Sequence, residues 1–146
     1  MATITVTETI DAPVSAVFAY VDDYRNTIKY MKDMTKWEPG GEQTHGLGSR
    51  FVLSMKVGPL NIDGEVEIDA WEENRTIGWK TLKGLRQDGS WAFREKGGGT
   101  EATFTVEIDL PGGIAGKMMA KTIEPLLKGT LQGSVRQLKA QTEKGK

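Results

Sequence analysis

Side chains able to carry chemistry are few in this sequence. Cysteine is absent and histidine occurs once, at His45. Disulfides, thiolate nucleophiles, iron–sulfur ligation and histidine-based metal centres are therefore excluded, and no metal or cofactor is expected. His45 lies in Gly41-Glu42-Gln43-Thr44-His45-Gly46-Leu47-Gly48, which reads as a flexible surface loop, and nothing supplies a Ser/His/Asp partner set for it. No G-x-G-x-x-G follows a strand, and Gly97-Gly98-Gly99 sits in a hairpin turn, so phosphate cradling is not expected. What remains is a short series of polar residues that periodicity places on otherwise apolar faces: Glu8, Thr81, Gln87, Thr130 and Ser134. Glu8 could act as a general base or anchor a ligand; the plainer expectation is a carboxylate near a strand end, paired or reaching water. Thr130 and Ser134 could bond a ligand, although hydroxyls on helices more often bond to helix carbonyls. Arg50 points outward by parity, within reach only of a cavity mouth.

The elements that must position these residues are legible from pattern. Residues 3–10 alternate, with Ile4, Val6 and Ile10 on one face and threonines on the other, a half-buried strand. Pro13 then opens a short helix whose stripe is Val14, Val17, Phe18 and Val21, stopped by Asp22-Asp23. A second short helix is expected over 24–31, with Asp23 as its cap. From 34 to 110 the period becomes two, and six strands fit, around 33–39, 49–57, 60–71, 75–82, 86–95 and 100–110. By the same parity Trp71 faces outward. Many of the 18 glycines in 146 residues fall between these strands, where turns must form.

A terminal helix is expected from about 114 to 142. At about 100° per residue, Gly116, Ala120, Leu127, Thr130, Leu131, Ser134 and Leu138 share a stripe with Ile123, and Lys117, Lys121, Glu124, Lys128, Arg136 and Lys139 oppose it. Such a helix covers the dry face of a sheet. Pro125 lacks the N–H that would bond to Lys121 and is expected to kink it. The order is that of an α+β fold in one domain, 1–146: a seven-stranded curved antiparallel sheet around a long C-terminal helix, with two short helices after the first strand.

That order resembles the START-like, birch-pollen-allergen-like superfamily of helix-grip proteins, and most of all its polyketide cyclase/dehydrase members. The likeness rests on the opening strand running into Ile10-Asp11-Ala12-Pro13 and a helix with Val17-Phe18, on Gly48-Ser49-Arg50-Phe51, on Gly99-Thr100, and on Pro111-Gly112-Gly113 before the last helix. It implies a helix-grip fold with an apolar ligand cavity between sheet and helix. On the inward faces the candidate ligand-binding residues are Phe51, Leu53, Met55, Ile62, Val66, Trp79, Trp91, Phe93 and Phe104, joined from the helix by Ala120, Ile123, Leu127, Thr130 and Ser134. Small residues at Ala120 and Ser134 opposite large ones should leave ligand-sized space.

The function expected is binding, or transport, of a hydrophobic small molecule: a lipid, polyketide or aromatic metabolite. One alternative is a cyclase/dehydratase-type enzyme using the same cavity, with Glu8, Arg50, Tyr24 or Tyr30 assisting proton transfer; no family catalytic set maps onto the chain, so no catalytic residue is assigned. A further alternative is a protein-interaction module. A net charge of −1, from 19 basic and 20 acidic residues spread along the chain, argues against a nucleic-acid partner. The first residues carry no basic or continuous apolar targeting run, and no segment has the 18 apolar residues of a membrane span. A cytoplasmic protein without stable membrane insertion is expected.

Overall fold

The computed structural model describes residues 2–109 and 113–144, with side chains in the last helix described from 121 onward. Leu110, Pro111 and Gly112 lie outside the described residues, and so do the surroundings of Gly116 and Ala120, on which the cavity expectation partly rests. The elements are β1 (Ala2–Ile10), α1 (Val14–Asp22), a 3-10 turn (Tyr24–Asn26), α2 (Thr27–Tyr30), β2 (Met34–Pro39), β3 (Arg50–Val57), β4 (Leu60–Glu72), β5 (Thr76–Gly84), β6 (Gln87–Lys96), β7 (Gly99–Ile108) and α3 (Gly113–Lys144). All seven strands form one antiparallel sheet in the order β1-β7-β6-β5-β4-β3-β2. This is the helix-grip architecture. No helix among the described residues is long and apolar enough to cross a membrane.

Parity decides which face is dry. In β3, Phe51, Leu53, Met55 and Val57 are buried, and in β7 Ala102, Phe104, Val106 and Ile108. The opposite face is wet: Thr5 meets Thr105 and Thr7 meets Thr103 across the β1–β7 ladder, hydroxyl to hydroxyl. The α3 stripe closes the dry face with Ile123, Leu127, Leu131 and Leu138, together with Val135, which lies outside the stripe expected from the sequence. Lys139, half-exposed and off this buried stripe, reaches to β1, its Nζ donating to the Thr9 carbonyl and to Glu143.

Two β-bulges break the alternation between β4 and β5. Asp69 is the extra residue between the pairs Ile68–Trp79 and Ala70–Gly78, and Leu82 the extra residue between Val66–Thr81 and Glu65–Lys83. The first bulge resets the side-chain parity of β4. Trp71 therefore does not face outward as expected. It is half-buried, edge-on to Phe18 at 5.7 Å between ring centroids.

The two hydroxyls on the helix stripe have a structural task. Ser134 Oγ donates to the Thr130 carbonyl at 2.8 Å and accepts from the Lys32 N–H at 2.8 Å. Thr130 Oγ1 donates to Asp33 Oδ2 at 2.9 Å. Asp33 has a φ of 69°, a left-handed conformation that aspartate tolerates better than most residues. Together these bonds tie the turn between α2 and β2 to α3. Ser134→Ala is expected to cost about 1–3 kcal/mol, because the Lys32 N–H loses its acceptor; urea unfolding of parent and variant measures it.

Candidate functional site

Two small, mainly apolar cavities lie against the dry face of the sheet, the inner one reaching α3 at Leu127 and Leu131. The outer one, about 50 Å³, is bordered by Tyr24, Tyr30, Phe51, Ile77 and Trp91. The inner one, about 20 Å³, is bordered by Met55, Ile62, Gln87, Phe104 and Leu127. Met31, Met34, Trp37 and Trp79 border both. Among the described residues neither of these cavities reaches the about 300–1,000 Å³ that drug-sized ligands occupy. Aromatic rings pack around both. Trp91 stacks on Phe104 at 4.2 Å and on Phe93 at 5.7 Å, Trp37 stacks on Phe51 at 5.0 Å, and Trp79 sits edge-on to Trp37 at 5.9 Å. Trp79 lies across the bare backbone of its β6 partner Gly89, where a Cβ would collide with the indole ring.

Of the candidate lining residues, Phe51, Trp79 and Trp91 border the outer cavity, and Met55, Ile62, Trp79, Phe104 and Leu127 the inner one. Leu53, Val66, Phe93 and Ile123 are buried in the surrounding core and border neither. Thr130 and Ser134 also border neither, with their hydroxyls engaged at the α2–β2 turn. Sequence reasoning missed the contribution of Met31, Met34 and Trp37. Their signal was the apolar spacing of three through Met31, Met34 and Trp37, which leads out of α2 into β2.

The rim of the outer cavity is polar and ordered by side chains distant in sequence. His45 Nε2 lies 2.6 Å from Asp22 Oδ2, and Trp71 Nε1 donates to Asp22 Oδ1 at 2.8 Å. The His45 and Trp71 rings meet edge-on at 5.1 Å. His45 is thus exposed yet partnered, and its loop is tied down rather than free. Gln43 donates to the His45 and Leu47 carbonyls, and Gly48 N–H and Ser49 carbonyl pair with Ile68 of β4.

Among the hydroxyls at the cavity, the Tyr30 phenol is held far above its ordinary pKa by burial and stays neutral. Glu8 and Arg50 lie elsewhere: Glu8 accepts from the Thr9 N–H on β1, and Arg50 is exposed and pairs with Glu67 at 3.4 Å.

At the far end of the inner cavity the ladder between β5 and β6 stops at Trp79–Gly89, and side chains take over. Thr81 N–H donates to Asp88 Oδ1 at 2.9 Å, and Gln87 N–H donates to Thr81 Oγ1 at 2.8 Å. Burial pushes the Asp88 carboxyl up, but the bonds from Thr81 and Arg86 outweigh it and hold the group below its ordinary pKa.

A family model described as "Polyketide cyclase / dehydrase and lipid transport" matches residues 1–143. Among curated proteins, none matches the sequence. Solved structures similar to this one include TTHA0849 from Thermus thermophilus, with TM-score 0.84, 19% identity and 97% of each chain covered. The Zhui aromatase/cyclase from Streptomyces sp. R1128 superposes with TM-score 0.82 at 15% identity, over 97% of this chain and 93% of that one. A START superfamily protein from Mycobacterium smegmatis gives 0.65 at 17% identity, over 93% of this chain and 98% of that one. At these identities the likeness is one of fold.

Proposed function

We propose that this chain, which belongs to the polyketide cyclase/dehydrase and lipid transport family, binds an elongated apolar or aromatic small molecule in a slot formed when its two cavities join. The observation that carries the reading is that the same four side chains, Met31, Met34, Trp37 and Trp79, border both cavities. Two of them are unbranched thioethers, which change rotamer at little cost and repack around varied apolar shapes. A ligand entering beneath the His45 rim displaces these side chains and gains the contacts they gave up. The affinity is then set by how well ligand surface replaces protein surface, not by the empty volume of the resting state.

Catalysis is the second reading, and the Asp22–His45 pair at the rim favours it. An imidazole held by a carboxylate can move a proton to or from a substrate that passes it, and Tyr24 and Tyr30 face the same cavity. One experiment addresses both. Native mass spectrometry of freshly purified protein is expected to reveal a retained apolar compound, or, in the delipidated protein, a one-to-one complex with N-phenyl-1-naphthylamine. Failure of both overturns the binding reading. A retained compound that leaves the protein altered in mass on incubation moves the reading to catalysis.

A further inference from the structure

Gln87 is the first residue of β6 and borders the inner cavity, with its Nε2 beside the β4 backbone at Gly64. The residue is only 7% exposed, and its Nε2 is fully buried with no hydrogen-bond partner among the described residues. The other residues bordering the cavity carry apolar or aromatic side chains, among them Met55, Ile62, Phe104, Val106, Ile108 and Leu127. A buried amide donor left unmade is expensive, so a native structure that keeps one needs a reason. The backbone around it is well satisfied: Gln87 N–H bonds to Thr81, and Asp88 binds both the Thr81 N–H and Arg86. These bonds fix the start of β6 and leave the amide no partner from the strand beside it.

We infer that Gln87 Nε2 is the polar anchor of the slot, donating a hydrogen bond to a carbonyl oxygen at the leading end of the ligand. The inference rests on the binding reading above and narrows its ligand class to neutral apolar molecules bearing a terminal ketone, ester or amide carbonyl. Charge complementarity argues the same way. The amide is neutral, no cation among the described residues borders the inner cavity, and a carboxylate there would be left without a counter-charge at a large desolvation cost. Geometry sets the ligand's length. Gln87 and Trp91 are four residues apart on β6, about 13 Å along the strand. A carbonyl at Gln87 therefore places an aromatic or alkyl body of two to three ring widths between Trp79 and Trp91, with its trailing end at His45.

The test compares two nearly isosteric probes, 2-acetylnaphthalene and 2-ethylnaphthalene, in the full chain and in Gln87→Met, which keeps the length and loses the donor. The ratio of the two dissociation constants is expected to shift towards the hydrocarbon by about three- to tenfold in the variant, the worth of one neutral hydrogen bond. In the parent, the carbonyl stretch of ¹³C-labelled 2-acetylnaphthalene should move to lower frequency on binding, and in Gln87→Met it should not. The thermal midpoint of Gln87→Met should stay level or rise, because an unpaired buried donor has been removed. If both probes bind and neither the ratio nor the carbonyl frequency differs between parent and variant, the anchor is overturned while the binding reading stands. If neither probe binds the parent, the binding reading falls and takes the anchor with it. Should Gln87→Met fail to fold, Gln87→Leu serves for the affinity ratio and the parent's carbonyl frequency alone decides the hydrogen bond.

Discussion

Removing residues 113–146 is expected to leave a chain that does not fold. α3 contributes five large aliphatic side chains, Ile123, Leu127, Leu131, Val135 and Leu138, each at most 2% exposed. Burying a side chain of that size contributes about 1.5–3 kcal/mol, so the five together supply about 8–15 kcal/mol. That is the whole stability margin of an ordinary domain, about 5–15 kcal/mol. The loss does not stop there, since Phe104, Leu53 and Ile62 would turn to water on the face the helix covered, and the turn at Lys32 and Asp33 would lose Ser134 and Thr130. The truncated chain should aggregate on expression and show no cooperative unfolding by circular dichroism. Leu131→Ala in the full chain gives a graded version, expected to cost about 2–5 kcal/mol. A soluble truncation with a sharp thermal transition would show that the sheet closes on itself, and the helix would then be an accessory.

How far the sequence reaches is best seen where its logic is local. Alternation in β3 and β7 needs only a period of two and one wet face, so the pattern by itself picks out the dry residues Phe51, Leu53, Met55, Phe104 and Val106. The α3 stripe follows from the helical period in the same way. The capping of the turn at Tyr24 is also legible, because Asp23 accepts from the Arg25 N–H and so satisfies a free donor at the start of the turn.

What fails is non-local. A bulge at Asp69 leaves no mark in composition, yet it turns Trp71 from the outer face towards Phe18 and brings its indole N–H to Asp22. His45 reads as unpartnered because its carboxylate lies 23 residues away, in a dipeptide whose evident role is to stop α1. The cavity expectation sets strand and helix faces against each other as two walls, and misses a third: Tyr30, Met31 and Met34, from α2, the turn after it and the start of β2, also border the space. Thr130 and Ser134 stand out as polar residues on an apolar stripe, and it is that same incoming segment which takes up their hydroxyls.

Trp79 offers the sharpest separation of pocket from core. Its side chain is one of the four that border both cavities, with the indole held over Gly89 on one side and against Trp37 and Phe104 on the other. Trp79→Leu is expected to lower stability by about 1–3 kcal/mol, a core truncation that leaves some of the indole volume empty. Its effect on binding should have the opposite sign. On the proposed binding mode a ligand first displaces the indole in the parent, and if the displaced arrangement is populated at about 0.1–10%, the observed affinity is reduced by that fraction. Removing the indole removes the penalty, so N-phenyl-1-naphthylamine should bind Trp79→Leu at least about tenfold more tightly than the parent. Gly89→Ala makes the reverse change: the new methyl group collides with the indole, and on the proposed mode the ring is expected to move towards the slot. Probe binding should weaken there, although every residue of the rim and of the inner cavity is unchanged. Fluorescence titration and thermal unfolding of the three proteins give the answer. Tighter binding in the less stable Trp79→Leu, with weaker binding in Gly89→Ala, is the signature of a gated slot, because plain core packing moves stability in both variants and has no reason to move binding in opposite directions. Equal probe affinity in all three proteins would mean that the two cavities are packing defects and that a ligand, if bound, sits elsewhere.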